Sequence, residues 1–196
     1  MKYKIEYTDG KPPLEGEAGS FLKFVEMNKD KLYRADLKGA NLTSANLTNA
    51  NLSGANLSRA NLKDANLYHA NLKGANLKDA NLYHANLKGA NLEGADIYHA
   101  NLEGAYLQGA NLKGADMRDV NLNNASLNSA NLTGAKIDFS AWPLWCGTQN
   151  VKVDKKIAAQ IATHFCWLDC DDEEVKAAQE AVKPLARQCK HWQERK

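Results

Sequence analysis

Residues 61–75 read NLKDANLYHANLKGA, and residues 76–90 repeat the same fifteen letters unchanged. Inside each copy a shorter pattern closes on itself every five residues: Ala, Asn, Leu and two polar positions. Extended in both directions, that register holds without interruption from residue 30 to residue 139. Taking the large apolar residue as the centre of each unit, centres fall at 32, 37, 42 and onward to 137, giving 22 units. Nineteen centres are Leu, with Ile97, Met117 and Ile137 as the exceptions. Ala stands two residues before the centre in 20 of the 22 units, replaced at Asp30 and Val120. Between them lies Asn in 15 units and Asp in three, Asp36, Asp96 and Asp116.

Neither regular element accommodates this period. Along an α-helix five residues advance about 500°, so successive centres rotate by about 140° and scatter around the axis. Along a flat strand side chains alternate, so neighbouring centres would face opposite sides. A backbone that turns identically every five residues buries all the centres together, as short extended pieces joined by corners around an Ala/Leu interior. The glycines mark the corner: Gly39, Gly54, Gly74, Gly89, Gly94, Gly104, Gly109, Gly114 and Gly134 all stand two residues after a centre. Asn49, Asp64, Asp79, Asp119 and Asn124 share that slot. These residue types tolerate positive φ in tight turns.

Units such as Ala-Asn-Leu-Lys-Gly and Ala-Asp-Met-Arg-Asp resemble the pentapeptide-repeat family across 110 of the 196 residues. The resemblance implies an all-β solenoid, a right-handed quadrilateral β-helix with four units per coil. On that basis the units make about 5.5 coils, roughly 26 Å long at about 4.8 Å per layer. Asn before the centre is expected to stack coil over coil as a hydrogen-bonded ladder.

Three segments follow: residues 1–29 as an N-terminal cap, 30–139 as the β-helix, and 140–196 as a C-terminal lid with helices. A solenoid needs its open edges covered. The N-terminal pattern predicts a strand at 2–7, a Pro/Gly-rich loop from Gly10 to Gly19, and a helix N-capped by Ser20. Beyond Phe139 the period stops, and Trp142, Pro143, Leu144 and Trp145 are expected to lid the last coil. A helix is predicted from about Asp154 to Leu168, and a second from Asp171, with Glu174 completing a capping box. On the second, Val175, Val182, Leu185 and Trp192 belong to a coiled-coil-like seam that either folds back on the helix before it or pairs with a second chain as a homodimer. Pro184 interrupts it, predicting a kink or two shorter helices. Related repeat proteins often dimerise through C-terminal elements.

Composition narrows the function. The chain carries 25 basic and 23 acidic residues, a net charge of +2, spread evenly along its length. Direct nucleic-acid binding, which calls for a basic stripe, therefore ranks low. The N-terminus lacks the continuous apolar core of a secretory signal, and no stretch approaches the roughly 20 apolar residues of a membrane span. A cytoplasmic address with reduced cysteines is expected.

The pairs Tyr68-His69, Tyr83-His84 and Tyr98-His99 are candidate partner-binding residues, multiplied by the fifteen-residue duplication. Because a coil takes four units and the duplication three, successive pairs are expected on successive faces, unable to converge on a metal. The set His164, Cys166, Cys170, Cys189 and His191 lacks the paired C-x2-C spacing of structural zinc; packed cysteines are the simpler reading. No catalytic residues, cofactor or metal are assigned. The expected function is a non-enzymatic, rod-like protein-interaction scaffold with an unidentified protein partner. The alternative is a DNA-mimicking modulator of a type II topoisomerase, as in the quinolone-resistance branch of the family. Those relatives show an acidic surface and often Phe centres, whereas here the repeats are near neutral and every centre is aliphatic.

Overall fold

Five residues of backbone carry five N–H groups, and the fold follows from where those groups go. The computed structural model of the chain describes residues 1–137, residue 158 and residues 173–187. In the unit at 75–79 the Ala75 N–H closes a tight turn onto the Leu72 carbonyl at 3.0 Å. The Asn76 N–H reaches down to Ala55 at 2.9 Å, while Leu77 and Asp79 reach up to Asp96 and Tyr98 at 2.6 and 3.1 Å. The fifth donor, the Lys78 N–H, goes to the Asn76 side-chain oxygen at 3.1 Å. The backbone donors of the unit are thus satisfied without solvent.

The ladder is parallel and its step is one coil. Asn56 bridges Asn76, Asn76 bridges Asp96, and Asp96 bridges Asp116, each pair 20 residues apart, so four units complete a turn. Near the end of the run the bridges lengthen into strands β3 (Asp116–Met117) and β4 (Lys136–Ile137), paired parallel. All 22 centres from Leu32 to Ile137 are buried, most at 0 % exposure, and Val120 is buried in an Ala position. Every turn slot from Arg34 to Gly134 has positive φ, at 54° to 72°. Twelve of these residues are not glycine, Arg34, Arg59 and His69 among them. From Arg34 to Gly114 each turn N–H bonds to a carbonyl of the coil above, as His69 does to Lys88 at 3.0 Å.

The N-terminal cap differs from expectation in one element. Strand β1 (Lys2–Ile5) pairs antiparallel with a second strand, β2 (Leu14–Glu17), inside the segment expected to be a loop. Within that segment Leu14–Glu17 pairs, and the turn lies before it, where the Gly10 N–H meets the Tyr7 carbonyl at 3.4 Å. Gly16 faces the next element closely: a β-carbon there would lie 2.8 Å from the Phe24 ring. Helix α1 (Phe21–Met27) starts at Ser20, whose hydroxyl accepts from the Lys23 N–H at 3.1 Å. Phe24 and Val25 are buried, and Tyr3 stacks on Phe24 with ring centroids 5.9 Å apart.

The cap also supplies the acceptors that a coil below would have provided. Asp36 N–H bonds to the Glu6 carbonyl at 2.7 Å, Asn51 N–H to the Lys29 carbonyl at 2.8 Å, and Asn46 N–H to the Glu26 carboxylate at 2.8 Å. Three of the first coil's four faces are closed in this way.

The chain divides into two compact units, Met1–Lys152 and Val153–Lys196. In the second, helix α2 (Glu173–Ala186) runs through Pro184 for two further residues instead of ending before it. Close to the C-terminal end, a proline removes one helical hydrogen bond, and few turns remain to be disturbed. Val175, Val182 and Leu185 lie on this helix. Trp192, the expected lid at 142–145, the helix from Asp154, the Asp171 cap and the His164/Cys166/Cys170/Cys189/His191 set lie outside the described residues.

Candidate functional site

Three outward slots per unit remain for function: the residue before the centre and the two after it. The first is occupied twice over. In unit after unit its side-chain oxygen accepts the N–H two residues on, as Asn61 does for Lys63 at 3.2 Å and Asn91 for Glu93 at 3.1 Å. Its amide nitrogen then bonds between coils, from Asn81 to Asn61 at 3.2 Å, Asn111 to Asn91 at 3.1 Å and Asn131 to Asn111 at 3.3 Å. The sequence predicts the second role and misses the first. Asp at three of these positions was the available signal, since a carboxylate accepts the turn N–H but cannot donate along a ladder.

The Tyr-His pairs stand on three different faces. A step of 20 residues puts Tyr68 under Lys88, Tyr83 over Lys63, and Tyr98 between Lys78 and Arg118. Within the pairs the ring centroids are 4.2, 4.1 and 5.9 Å apart. The His69 and His84 rings lie across Gly89 and Gly104 of the next coil, where an added β-carbon would come within 2.4 and 2.1 Å of them. His99 has Asp119 above it instead, and its Nδ1 pairs with Asp79 at 3.0 Å.

Cations lie over two of these three tyrosines. The Lys63 ammonium lies 5.5 Å from the Tyr83 ring centroid, and Lys78 lies 5.1 Å from that of Tyr98. Arg118 approaches Tyr98 from the other side at 5.6 Å, distances at which the ring's quadrupole attracts a cation. Sequence reasoning did not anticipate these columns. Writing the duplicated block at coil width exposes them, because position 3 of one copy falls 20 residues before position 8 of the next.

Around Tyr98 the face becomes a shallow cleft of about 320 Å³ lined by Lys78, Asp96, Tyr98, Asp116 and Arg118. Arg118 grips Asp116 with two hydrogen bonds, at 2.8 and 2.7 Å. That guanidinium holds the Asp116 carboxyl below the usual carboxylate range, against the opposing effect of burial. The neighbouring Asp119 carboxylate holds the Tyr98 phenol above its ordinary value. The chemistry on offer is ionic and aromatic recognition on an open surface. Among the described residues no group of three or more His, Cys, Asp or Glu is placed to hold a metal. Nor is any described helix long and apolar enough to cross a membrane.

A family model for pentapeptide repeats matches residues 31–67, 60–97 and 100–137. The chain is similar to a pentapeptide repeat protein from the cyanobacterium Cyanothece 51142, with 39% identity and a TM-score of 0.43. That match covers 56% of this chain and 65% of the other, so this chain spans less than two thirds of that relative. A pentapeptide repeat protein of the Arabidopsis thaliana thylakoid lumen is 29% identical, over 66% of this chain and 76% of its own, with a TM-score of 0.48. QnrB1, a plasmid-mediated fluoroquinolone resistance protein, is 19% identical over 69% of this chain and 86% of its own, with a TM-score of 0.32. No curated protein matches the chain.

Proposed function

Given that this chain belongs to the pentapeptide-repeat family, we propose that it is a non-enzymatic scaffold whose faces bind a protein partner. The family's right-handed, four-sided winding is taken as its own, with residues 1–29 as cap, 30–139 as rod and 140–196 as a possible dimerisation element. The observation that supports a binding role is the division of labour within each unit. Inward positions are nearly uniform and the backbone donors are satisfied internally, whereas the outward slots hold Lys, Glu, Tyr, His, Gln, Ser and Thr in changing order. Stability dictates the Asn before the centre and the turn slot, but not the residue directly after the centre, which is therefore free to be recognised. An open surface also lacks the enclosed environment in which catalytic groups are tuned.

Affinity capture with the full chain from its native host tests this. A partner retained reproducibly supports the scaffold, and no partner above background removes it. The topoisomerase reading remains the competitor. Inhibition of gyrase supercoiling, or protection from a quinolone, would favour it despite the aliphatic centres and near-neutral repeats. For the homodimer, a sedimentation mass of two chains at micromolar concentration is the expected result, and a mass of one chain rules it out.

A further inference from the structure

One face departs from the amide columns of its neighbours. Before the centre, one face reads Asn41, Asn61, Asn81, Asn101 and Asn121, and another reads Asn51, Asn71, Asn91, Asn111 and Asn131. On the face of Tyr98 the column contains Asp96 and Asp116, which bridge each other in consecutive coils. Like charges opposed across a ladder are unfavourable. Asp116 has the answer to this, with Arg118 at 2.7 Å and Lys136 at 3.5 Å. Asp96 accepts the Tyr98 backbone N–H at 3.1 Å, and among the described residues no cation pairs with it. Lys78, in the same cleft, has the Tyr98 ring beside it but no carboxylate partner among the described residues. An unpaired carboxylate, an unpaired ammonium and an aromatic wall thus share one recess.

We infer that this cleft docks an extended segment of a protein partner, with an Arg or Lys side chain on Asp96 and an Asp or Glu side chain on Lys78. The inference rests on the scaffold reading and names its face and the partner's chemistry. Charge complementarity carries it. A partner cation completes the Asp96–Asp116 stack as Arg118 completes it from within. Asp96 and Lys78 stand one coil and two residues apart, further than the coil spacing of about 5 Å, and alternate side chains on one side of an extended chain lie about 7 Å apart. Tyr and Arg beside the contact are the residue types that dominate binding energy at interfaces. A nucleic acid fits poorly, because Asp79, Asp96, Asp116 and Asp119 on this face offset Arg59, Lys78, Arg118 and Lys136 and leave no basic stripe for its phosphates.

The test is calorimetric titration of the full chain with a blocked, extended peptide carrying Arg and Glu two positions apart. Saturable binding that weakens with salt is expected, with at least a tenfold loss in Asp96→Asn and in Lys78→Ser. Each variant repeats the residue one coil below, Asn76 and Ser58, so Asp96→Asn should melt no lower than the parent and Lys78→Ser only slightly lower, for the loss of its contact with the Tyr98 ring. Three results would each overturn the inference: no saturation at millimolar peptide, equal binding by the variants, or equal binding of a peptide with Leu for Arg. A partner captured equally well by the Asp96→Asn/Lys78→Ser chain sinks this inference and leaves the scaffold standing. A capture that returns no partner removes both.

Discussion

At position 74 an added methyl group would meet nothing within 4 Å, whereas at position 89 it would enter the space of the His69 ring. Both glycines have φ near +65°. Gly74→Ala should therefore cost about 1 kcal/mol, the ordinary penalty for a side chain in the left-handed region. Gly89→Ala adds the loss of the imidazole's packing. In a His69→Ala background the two substitutions should cost the same, as measured by urea denaturation; a persistent difference would show that the ring is not the cause. The turn slot was legible in the sequence because nine glycines share it. The histidines in that slot were legible too, as a residue type enriched at positive φ, whereas Arg34 and Arg59 were not, since their own preference opposes the conformation that the bond to the coil above holds. Asp116 yields a second prediction. Its folded-state pKa is depressed, so its contribution to stability is present above the unfolded carboxyl value of about 3.9. That contribution is lost as the pH falls through the lower folded value. Asp116→Asn should lower stability by a constant amount above about pH 5, and the difference should shrink towards zero in acid, as followed by denaturation across pH.

Among the elements, helix α1 has two jobs that its seven residues do not announce equally. Its hydrophobic face and Ser20 cap were readable from residue type and spacing. Its second job, supplying the Glu26 carboxylate to the Asn46 N–H at 2.8 Å, was not, because it depends on where the first coil ends up in space. Hydrogen bonds to charged groups contribute roughly 1.5–3 kcal/mol. Glu26→Ala should destabilise the chain by about that much, and Glu26→Gln, which keeps an acceptor, by much less. Hydrogen exchange offers a local check: the Asn46 amide should lose protection in the alanine variant while amides of the inner coils keep theirs. Equal loss in both variants would mean that the carboxylate's charge, not its acceptor, matters. Strand β2 shows the opposite failure of legibility. Pro12, Pro13 and Gly16 give the segment a loop-like composition, yet its residues from Leu14 to Glu17 pair with β1. Gly16 is small because Phe24 sits against it, not because the chain turns there.

For the repeat unit as a whole, the physics is that of a one-dimensional stack in which each coil contacts its neighbours alone. The inward positions are interchangeable, so length should be negotiable in steps of five residues and in no other step. Removing residues 51–70 takes out one coil, brings Asn71 over the Lys29 carbonyl in place of Asn51, and leaves every column above it intact. Removing residues 61–75, one copy of the duplicated block, also keeps all remaining centres inward and all turn slots in phase. It rotates the upper columns by one face against the cap, while Lys78, Asp96, Tyr98 and Arg118 keep their mutual spacing. Both shortened chains should retain β-type circular dichroism and a cooperative melt, and both should still bind the Arg/Glu peptide. Deleting only residues 62–64 should do more harm than deleting twenty. It puts the centres on either side out of phase, and no loop short enough can restore the register across a two-residue stub. Thermal melts of the three chains decide the matter: the midpoint should fall furthest in the chain that has lost the fewest residues. If it falls in proportion to the length removed instead, the coils are not equivalent, and the uniform interior does not specify the fold in the way its repeat implies.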